Sequence, residues 1–201
     1  MVKDFDLAVT NKIKTWFTNT IYANTAIVYN VAFNLVEDPT VTLKFPLVSI
    51  YRPEGMRLNE FQSFAARRQG VEYFYDNENN RSSLARFLVA NLAYQLDVYA
   101  RTPESLIDIS EDIMQALNFD PVVVVEQVDK NIGQGFTDRY ELTYNNGPVE
   151  QSEFTNDDRV YHYSLVYEIR NARIANFRTI KSVDQTEVEV TIDTEAEEHG
   201  E

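Results

Sequence analysis

Two periodicities meet between Tyr94 and Leu117, and their junction constrains the fold more than any other stretch of the chain. Tyr94, Leu96, Val98 and Ala100 alternate with Gln95, Asp97, Tyr99 and Arg101, the period of a strand with one buried face. Thr102-Pro103-Glu104 follows with a helix N-cap, a proline suited to the first helical turn and an acid near the positive helix end. Leu106, Ile109, Ile113 and Leu117 then fall at spacings of three, four and four, with Asp108, Glu111 and Asp112 on the other side, until Asn118 to Pro121 ends the run. A strand that passes straight into a one-faced helix must lay that helix back across its own sheet. The expected class is α+β: a mixed, mostly antiparallel sheet with a central helix and an N-terminal helix packed on it.

The rest of the chain fits around this unit. Twelve Tyr and twelve Phe against one Trp are the rings that half-buried sheets and subunit contacts use. Val9, Ile13, Phe17 and Ile21 recur at four-residue intervals, which predicts a helix from about residue 6 to 21 capped by Asp4 or Asp6. Thr25–Phe33 and Thr40–Tyr51 read as strands joined by a turn at Glu37-Asp38-Pro39, with Pro46 making the second an edge strand or a bulged one. Residues 53–83 open on Pro53-Glu54-Gly55, close near Asp76–Asn80 and read as a long inserted loop. Beyond Pro121, Val122–Val125 reads as a strand and Asn131–Gly135 as a loop. Tyr140, Leu142 and Tyr144 then face Tyr161, Tyr163, Leu165, Tyr167 and Ile169 as antiparallel neighbours, with a turn signal at Asn145–Pro148. We read residues 1–186 as one domain, followed over 187–201 by a candidate last strand at Val188, Val190 and Ile192 and a disordered acidic tail.

Charge and missing residue types exclude much chemistry. The net charge of −14 disfavours gripping a phosphate backbone, and half of it lies in residues 187–201, which hold seven acids and no Lys or Arg. Cysteine is absent and His162 and His199 are the only histidines, so thiolate chemistry is excluded and imidazole chemistry nearly so. Neither a phosphate-binding loop nor a GxSxG elbow occurs, and Gly133-Gln134-Gly135-Phe136 reads as a turn between strands. His162 reads as a hydrogen-bonded or solvated sheet histidine, and Glu111-Asp112 and Asp157-Asp158 read as solvated surface. The N-terminus lacks the apolar core of a signal peptide and no apolar run approaches ~20 residues, which predicts a soluble chain made inside the cell, with no membrane partner. We therefore assign no catalytic, metal or cofactor-binding residue and expect a protein that is not an enzyme.

What remains is association. From Lys44 to Arg101 eight Lys and Arg stand against six Asp and Glu, a mildly positive stretch in an acidic chain, with Arg52, Arg57, Arg81 and Arg86 near Arg67-Arg68. It suits docking onto an acidic copy of the same chain or another acidic partner. The candidate contact residues are Arg57, Phe61, Phe64, Arg67, Arg68, Phe74 and Tyr75 in the insertion, with Asp97, Tyr99 and Arg101 on the strand.

Residues 84–119, LARFLVANLAYQLDVYARTPESLIDISEDIMQALNF, followed by Arg159-Val160-Tyr161-His162-Tyr163-Ser164-Leu165-Val166-Tyr167-Glu168, resemble the tail-terminator or tail-completion proteins of tailed bacteriophages. The order of elements over residues 5–170, with a PLVSIYR-type segment before the strand–helix unit, is similar as well. The insertion 53–83 and the acidic tail depart from the smallest members. The resemblance implies a small α/β domain that forms a hexameric ring at the phage neck, capping the tail tube and joining it to the head connector. It implies tube, sheath and connector proteins as partners, genomic DNA passing through without specific binding, and a place in the virion after synthesis in the host cytoplasm. Acidic walls around a lumen would repel the duplex and let it slide. Another neck or head-completion protein is a second structural reading. A small-ligand or carbohydrate module with a Tyr-lined groove, and a hydrolase whose acids the sequence does not pair, are alternatives from other classes.

Overall fold

The computed structural model describes residues 2–18, 24–29, 44–53, 57–58, 72–77, 81–150, 153–154 and 159–180, without side chains at 57–58, 153–154, 159 and 179–180. The fold is mixed α+β. Helix α1 spans Val2–Thr18, and strands β1 (Ala26–Tyr29), β2 (Leu47–Tyr51), β3 (Arg57–Leu58), β4 (Glu72–Asp76) and β5 (Arg81–Ala100) follow. Helix α2 spans Pro103–Phe119 and precedes β6 (Val122–Asp129), β7 (Gln134–Glu150), β8 (Glu153–Phe154) and β9 (Arg159–Ile180). Among the described residues these strands form one curled sheet ordered β1-β2-β5-β9-β7-β6, with β3 and β4 also on β5 and β8 on β9. All pairs are antiparallel except β1 with β2.

The strand–helix junction forms as the sequence predicts. Thr102 sits in extended backbone at φ −127° and ψ 144°, its hydroxyl accepts from Ser105 N–H at 3.3 Å, and Pro103 occupies the first helical turn. Leu106, Ile109, Ile113 and Leu117 are buried with Phe5, Val9, Ile13 and Phe17 of α1 against Val48, Ile50, Tyr94, Leu96, Val98, Leu165, Tyr167 and Ile169 of the sheet. Each such large apolar side chain contributes roughly 1.5–3 kcal/mol on burial. Helix α1 lies over β1 and β6, and α2 over β5 and β9.

Several sequence expectations are corrected. Strands β1 and β2 run parallel, Ala26 opposite Leu47, so they are not the two arms of a hairpin, and the expected turn at Glu37–Pro39 lies outside the described residues. Pro46 precedes β2, and its carbonyl, the hydrogen-bonding group proline keeps, accepts from Ala26 N–H at 2.9 Å. Strand β2 is thus neither an edge nor bulged by its proline, because β1 and β5 flank it. Asp6 is not a cap but a buried residue of the second turn, and Ile21 lies outside the described residues. The insertion is only partly a loop: β3 pairs with β5 near its middle, and β4 forms a hairpin with the start of β5, Asp76 opposite Arg81. The β6–β7 loop is shorter than read, since Gln134 and Gly135 already pair with Asp129 and Val128. Asn145–Pro148 is not a turn. The strand β7 runs through it, with register shifts on both sides of Asn146, because a backbone at φ +124° on Gly147 serves a bulge as well as a turn. The strand at Val188–Ile192 and the acidic tail lie outside the described residues.

One irregularity organises the long β5–β9 ribbon. Ala90 pairs with Ala172 but Leu92 with Ile169, so β9 carries one extra residue there. Asn171 takes the left-handed conformation at φ 56°, which Asn tolerates, and its N–H donates to Asn91 Oδ1 at 3.0 Å. Such a bulge bends a strand. It divides the ribbon into a near half beneath the helices and a far half, residues 81–90 and 172–180, which β4 extends.

Candidate interaction surface

The far half has an anchored face and a displayed face. On the anchored face Ala85, Phe87 and Ala175 are buried, with Phe74, Phe136 and Phe177 packed against them. Ring centroids lie 5.9 Å apart for Phe74–Phe177, 5.1 Å for Phe87–Phe136 and 6.3 Å for Phe136–Phe177. The Arg173 guanidinium sits 4.2 Å from the Phe87 centroid and 5.7 Å from that of Phe136, and pairs with Glu72 at 2.8 Å and Asp138 at 3.7 Å. Ring and cation–π contacts of this kind contribute about 1 kcal/mol each. Polar side chains complete the anchor: Ser83 Oγ donates to Asp129, Gln127 bridges to the Arg173 carbonyl at 2.7 Å and the Ala175 N–H at 2.8 Å, and Gln134 Nε2 donates to the Tyr75 carbonyl at 3.0 Å.

Because side chains alternate along a strand, the residues between the anchors point the other way. Tyr73 and Tyr75 are 73% and 51% exposed. Tyr73 is paired with Leu84, Leu84 with Arg178, and Arg86 with Asn176, so Tyr73, Tyr75, Leu84, Arg86, Asn176 and Arg178 share one face. Arg86, Asn176 and Arg178 are exposed and Leu84 half-buried. Two phenols beside two guanidiniums on a pre-anchored ribbon are the residue types that carry protein–protein binding energy, held so that little ordering is needed on contact.

The predicted contact residues do not fall together. Tyr75 belongs to this surface, whereas Phe74, its neighbour, is half-buried in the anchoring layer. Arg57 pairs by its backbone with Asn91, and Phe61, Phe64, Arg67 and Arg68 lie outside the described residues. Arg101 is exposed at the opposite end of β5, 5.3 Å above the Phe45 ring. Arg52 is spent inside the protomer, donating from Nε and Nη2 to the two carboxylate oxygens of Asp6 at 2.7 and 3.1 Å, and Tyr94 Oη donates to the same carboxylate at 3.1 Å. Tyr73, Leu84 and Arg178 were missed; the alternation Glu72-Tyr73-Phe74-Tyr75-Asp76 was the available signal for Tyr73.

Asp97 and Tyr99 form no surface, since each is 2% exposed. Ser164 Oγ donates to Asp97 Oδ1 at 2.6 Å and Gln95 Nε2 to the same oxygen at 2.8 Å, while His162 Nε2 lies 3.2 Å from it. The His162 ring stacks on Tyr99 at 4.3 Å. Burial would raise the Asp97 carboxyl, but the hydrogen bonds from His162, Ser164 and Gln95 outweigh it and hold Asp97 below the usual range. Tyr51 is pushed up to about 12 by burial and by the neighbouring Asp97 charge. These residues are not a nucleophilic relay. In a relay the carboxylate and the hydroxyl meet different ring nitrogens, whereas here one carboxylate oxygen gathers all three donors and the Ser164 proton is committed to it. Among the described residues no group of three or more His, Cys, Asp or Glu is placed to hold a metal ion, and no helix is long and apolar enough to cross a membrane. No protein-family model matches the chain, and no curated protein matches it.

Proposed function

We propose that this chain is a structural protein that works by self-association, as a tail terminator at a phage neck whose copies close into a ring over the tail tube and meet the head connector. The observation that carries the reading is the displayed face of Tyr73, Tyr75, Leu84, Arg86 and Arg178 on an internally anchored ribbon. Its chemistry is that of a contact between folded surfaces. The mixed sheet with two helices packed on it supports the reading, because it accords with the domain that the resemblance implies. A net charge of −14 supports it too, since such a ring would leave passing DNA ungripped. A ring needs a heterologous contact, so this face would meet a different patch on the next copy.

Light scattering and negative-stain imaging of the purified chain at micromolar concentration, with and without tail tubes, test this. We expect a mass of several copies and closed rings, and expect Tyr73→Ser with Tyr75→Ser to weaken association at least tenfold without changing the far-UV circular dichroism. A monomer under both conditions refutes the ring. A ring indifferent to the double substitution moves the contact elsewhere.

A further inference from the structure

The displayed face of the far ribbon is positive as well as aromatic. Leu84 is paired with Arg178 and lies two residues from Arg86, so the two arginines stand on a diagonal across β5 and β9. Diagonal neighbours in a sheet are about 7–8 Å apart, close enough for both guanidiniums to act on one patch. Tyr73, Tyr75, Leu84 and Asn176 complete the face, which contains no acid. Arg52 and Arg173 are paired inside the protomer, but among the described residues neither Arg86 nor Arg178 has an ion-pair partner.

Helix α2 presents the opposite surface. Its inner side, Leu106, Ile109, Ile113 and Leu117, is buried against the sheet, so the helical period turns Glu104, Ile107, Asp108 and Glu111 outward together. All four are exposed, Ile107 by 42%, and the helix contains no Lys or Arg. Glu104 to Glu111 covers about two turns, or roughly 10 Å. Burial, and after it the charges of Asp108 and Glu111, raise the Asp112 carboxyl, so these acids oppose one another until a cation is brought to them. Other described acids have cations beside them. Asp120 is held by Lys12, α1 carries Lys3, Lys12 and Lys14, and Arg139 shares the outer face of the β6–β7 hairpin with Glu126 and Glu141.

We propose that the tyrosine–arginine face of one copy docks on the outer face of α2 in a second copy, with Arg86 and Arg178 against Glu104 and Glu111 and a tyrosine over Ile107. The inference rests on the self-association proposed above and names the second patch that a heterologous contact requires. Charge complementarity selects this occupant: a face with two cations and no acid meets a helix face with three acids and no cation. The apolar parts match as well, since exposed phenols framed by arginines meet an exposed isoleucine framed by carboxylates, and each covers what the other leaves in water. Because the two patches belong to different elements, a copy that uses one toward its neighbour keeps the other for the next.

Charge exchange tests this in the full chain, by light scattering at micromolar concentration under the condition in which the native chain associates. Glu104→Lys, Asp108→Lys and Glu111→Lys together make both patches positive, and Arg86→Glu with Arg178→Glu makes both negative. We expect each variant alone to associate at least tenfold more weakly than the native chain, with unchanged far-UV circular dichroism. An equimolar mixture of the two should recover association, because each then offers the charge that the other's copies lack, and so should a single chain carrying all five substitutions. Association indifferent to the α2 substitutions overturns the proposal; where Tyr73→Ser with Tyr75→Ser still weakens it, self-association through the displayed face stands and only its partner patch is wrong. A mixture no more associated than its components overturns the proposal as well. A native chain that is monomeric with and without tail tubes refutes self-association itself, and this contact with it.

Discussion

Asp6 is the place to cut the link between the N-terminal helix and the sheet. It is 4% exposed, it accepts both Arg52 donors, and it accepts the hydroxyl of Tyr94, itself 0% exposed. In Asp6→Ala the Tyr94 hydroxyl stays buried without an acceptor, which costs about 1–3 kcal/mol. Arg52 loses its counter-charge, but its side chain is 22% exposed and partly rehydrates, so the 3–5 kcal/mol typical of a broken buried pair is an upper bound. Together these give a destabilisation of about 3 kcal/mol, or a fall in Tm of roughly 6–12 °C for a chain of this size. Tyr94→Phe alone should cost about 1 kcal/mol, and the double variant should fall short of the sum by about 1 kcal/mol, because the orphaned hydroxyl is gone. Trp16, the only tryptophan, sits on α1 at 38% exposure, so its fluorescence in urea follows that helix while far-UV dichroism follows the secondary structure as a whole. Asp6→Ala should lower both midpoints, the tryptophan one at least as much. A loss below 1 kcal/mol, or strict additivity with Tyr94→Phe, would refute the claim that this cluster fastens the helix.

Two further outcomes follow from the geometry. A Cβ on Gly135 would lie 1.9 Å from the Gln127 carbonyl oxygen and 2.7 Å from Val128 Cα, so Gly135→Ala must part the β6–β7 backbones; we expect a loss of about 3 kcal/mol by urea unfolding, and near-neutral stability would contradict it. Asp97 is held below the ordinary carboxyl range, so its contribution is complete above the unfolded value near 3.9 and is lost as pH falls through the lower folded value. Asp97→Asn should therefore be less stable than the native chain at pH 7, with the gap shrinking in acid below about pH 4; a gap constant down to pH 2 would contradict this sign.

The strand–helix unit was legible because its determinants are local. Thr102 and Pro103 fix the helix start, and the apolar spacing on each side needs no distant partner to be read. The parts that sequence misread are those that pairing decides. Asn145–Pro148 supplies a backbone that suits a turn or a bulge, and only the presence of β9 alongside makes it a bulge. The parallel pairing of β1 with β2, beside the antiparallel pairing of β2 with β5, is a matter of direction that neither strand's own residues encode. Asp97 and His162 were each singled out in the sequence, but the diagonal that joins them, with Tyr99 opposite His162 and Asp97 opposite Ser164, exists only in the β5–β9 register. Tyr75 was found as an aromatic in a basic stretch. Leu84 and Arg178, which share its face, could not be, because register alone brings them there and Arg178 lies over a hundred residues away in sequence.

Anchor and display are one consequence of register. With Phe74, Ala85, Phe87, Ala175 and Phe177 turned inward, a strand's period of two leaves Tyr73, Tyr75, Leu84, Arg86, Asn176 and Arg178 no other face. A slip of one residue in β4 would bury Tyr73 and Tyr75 and expose Phe74, and the Arg173–Glu72 pair, the Phe74–Phe177 contact and the Gln134–Tyr75 bond each oppose it. Folding alone asks only for tolerable strand formers at the outward positions. Two tyrosines set beside Leu84 put contiguous apolar area into water and contribute nothing to the core behind them. Such area is stabilising only when another surface covers it. The guanidiniums of Arg86 and Arg178 add a local positive field to a chain of net charge −14, so an acidic surface brought to this face would meet attraction there.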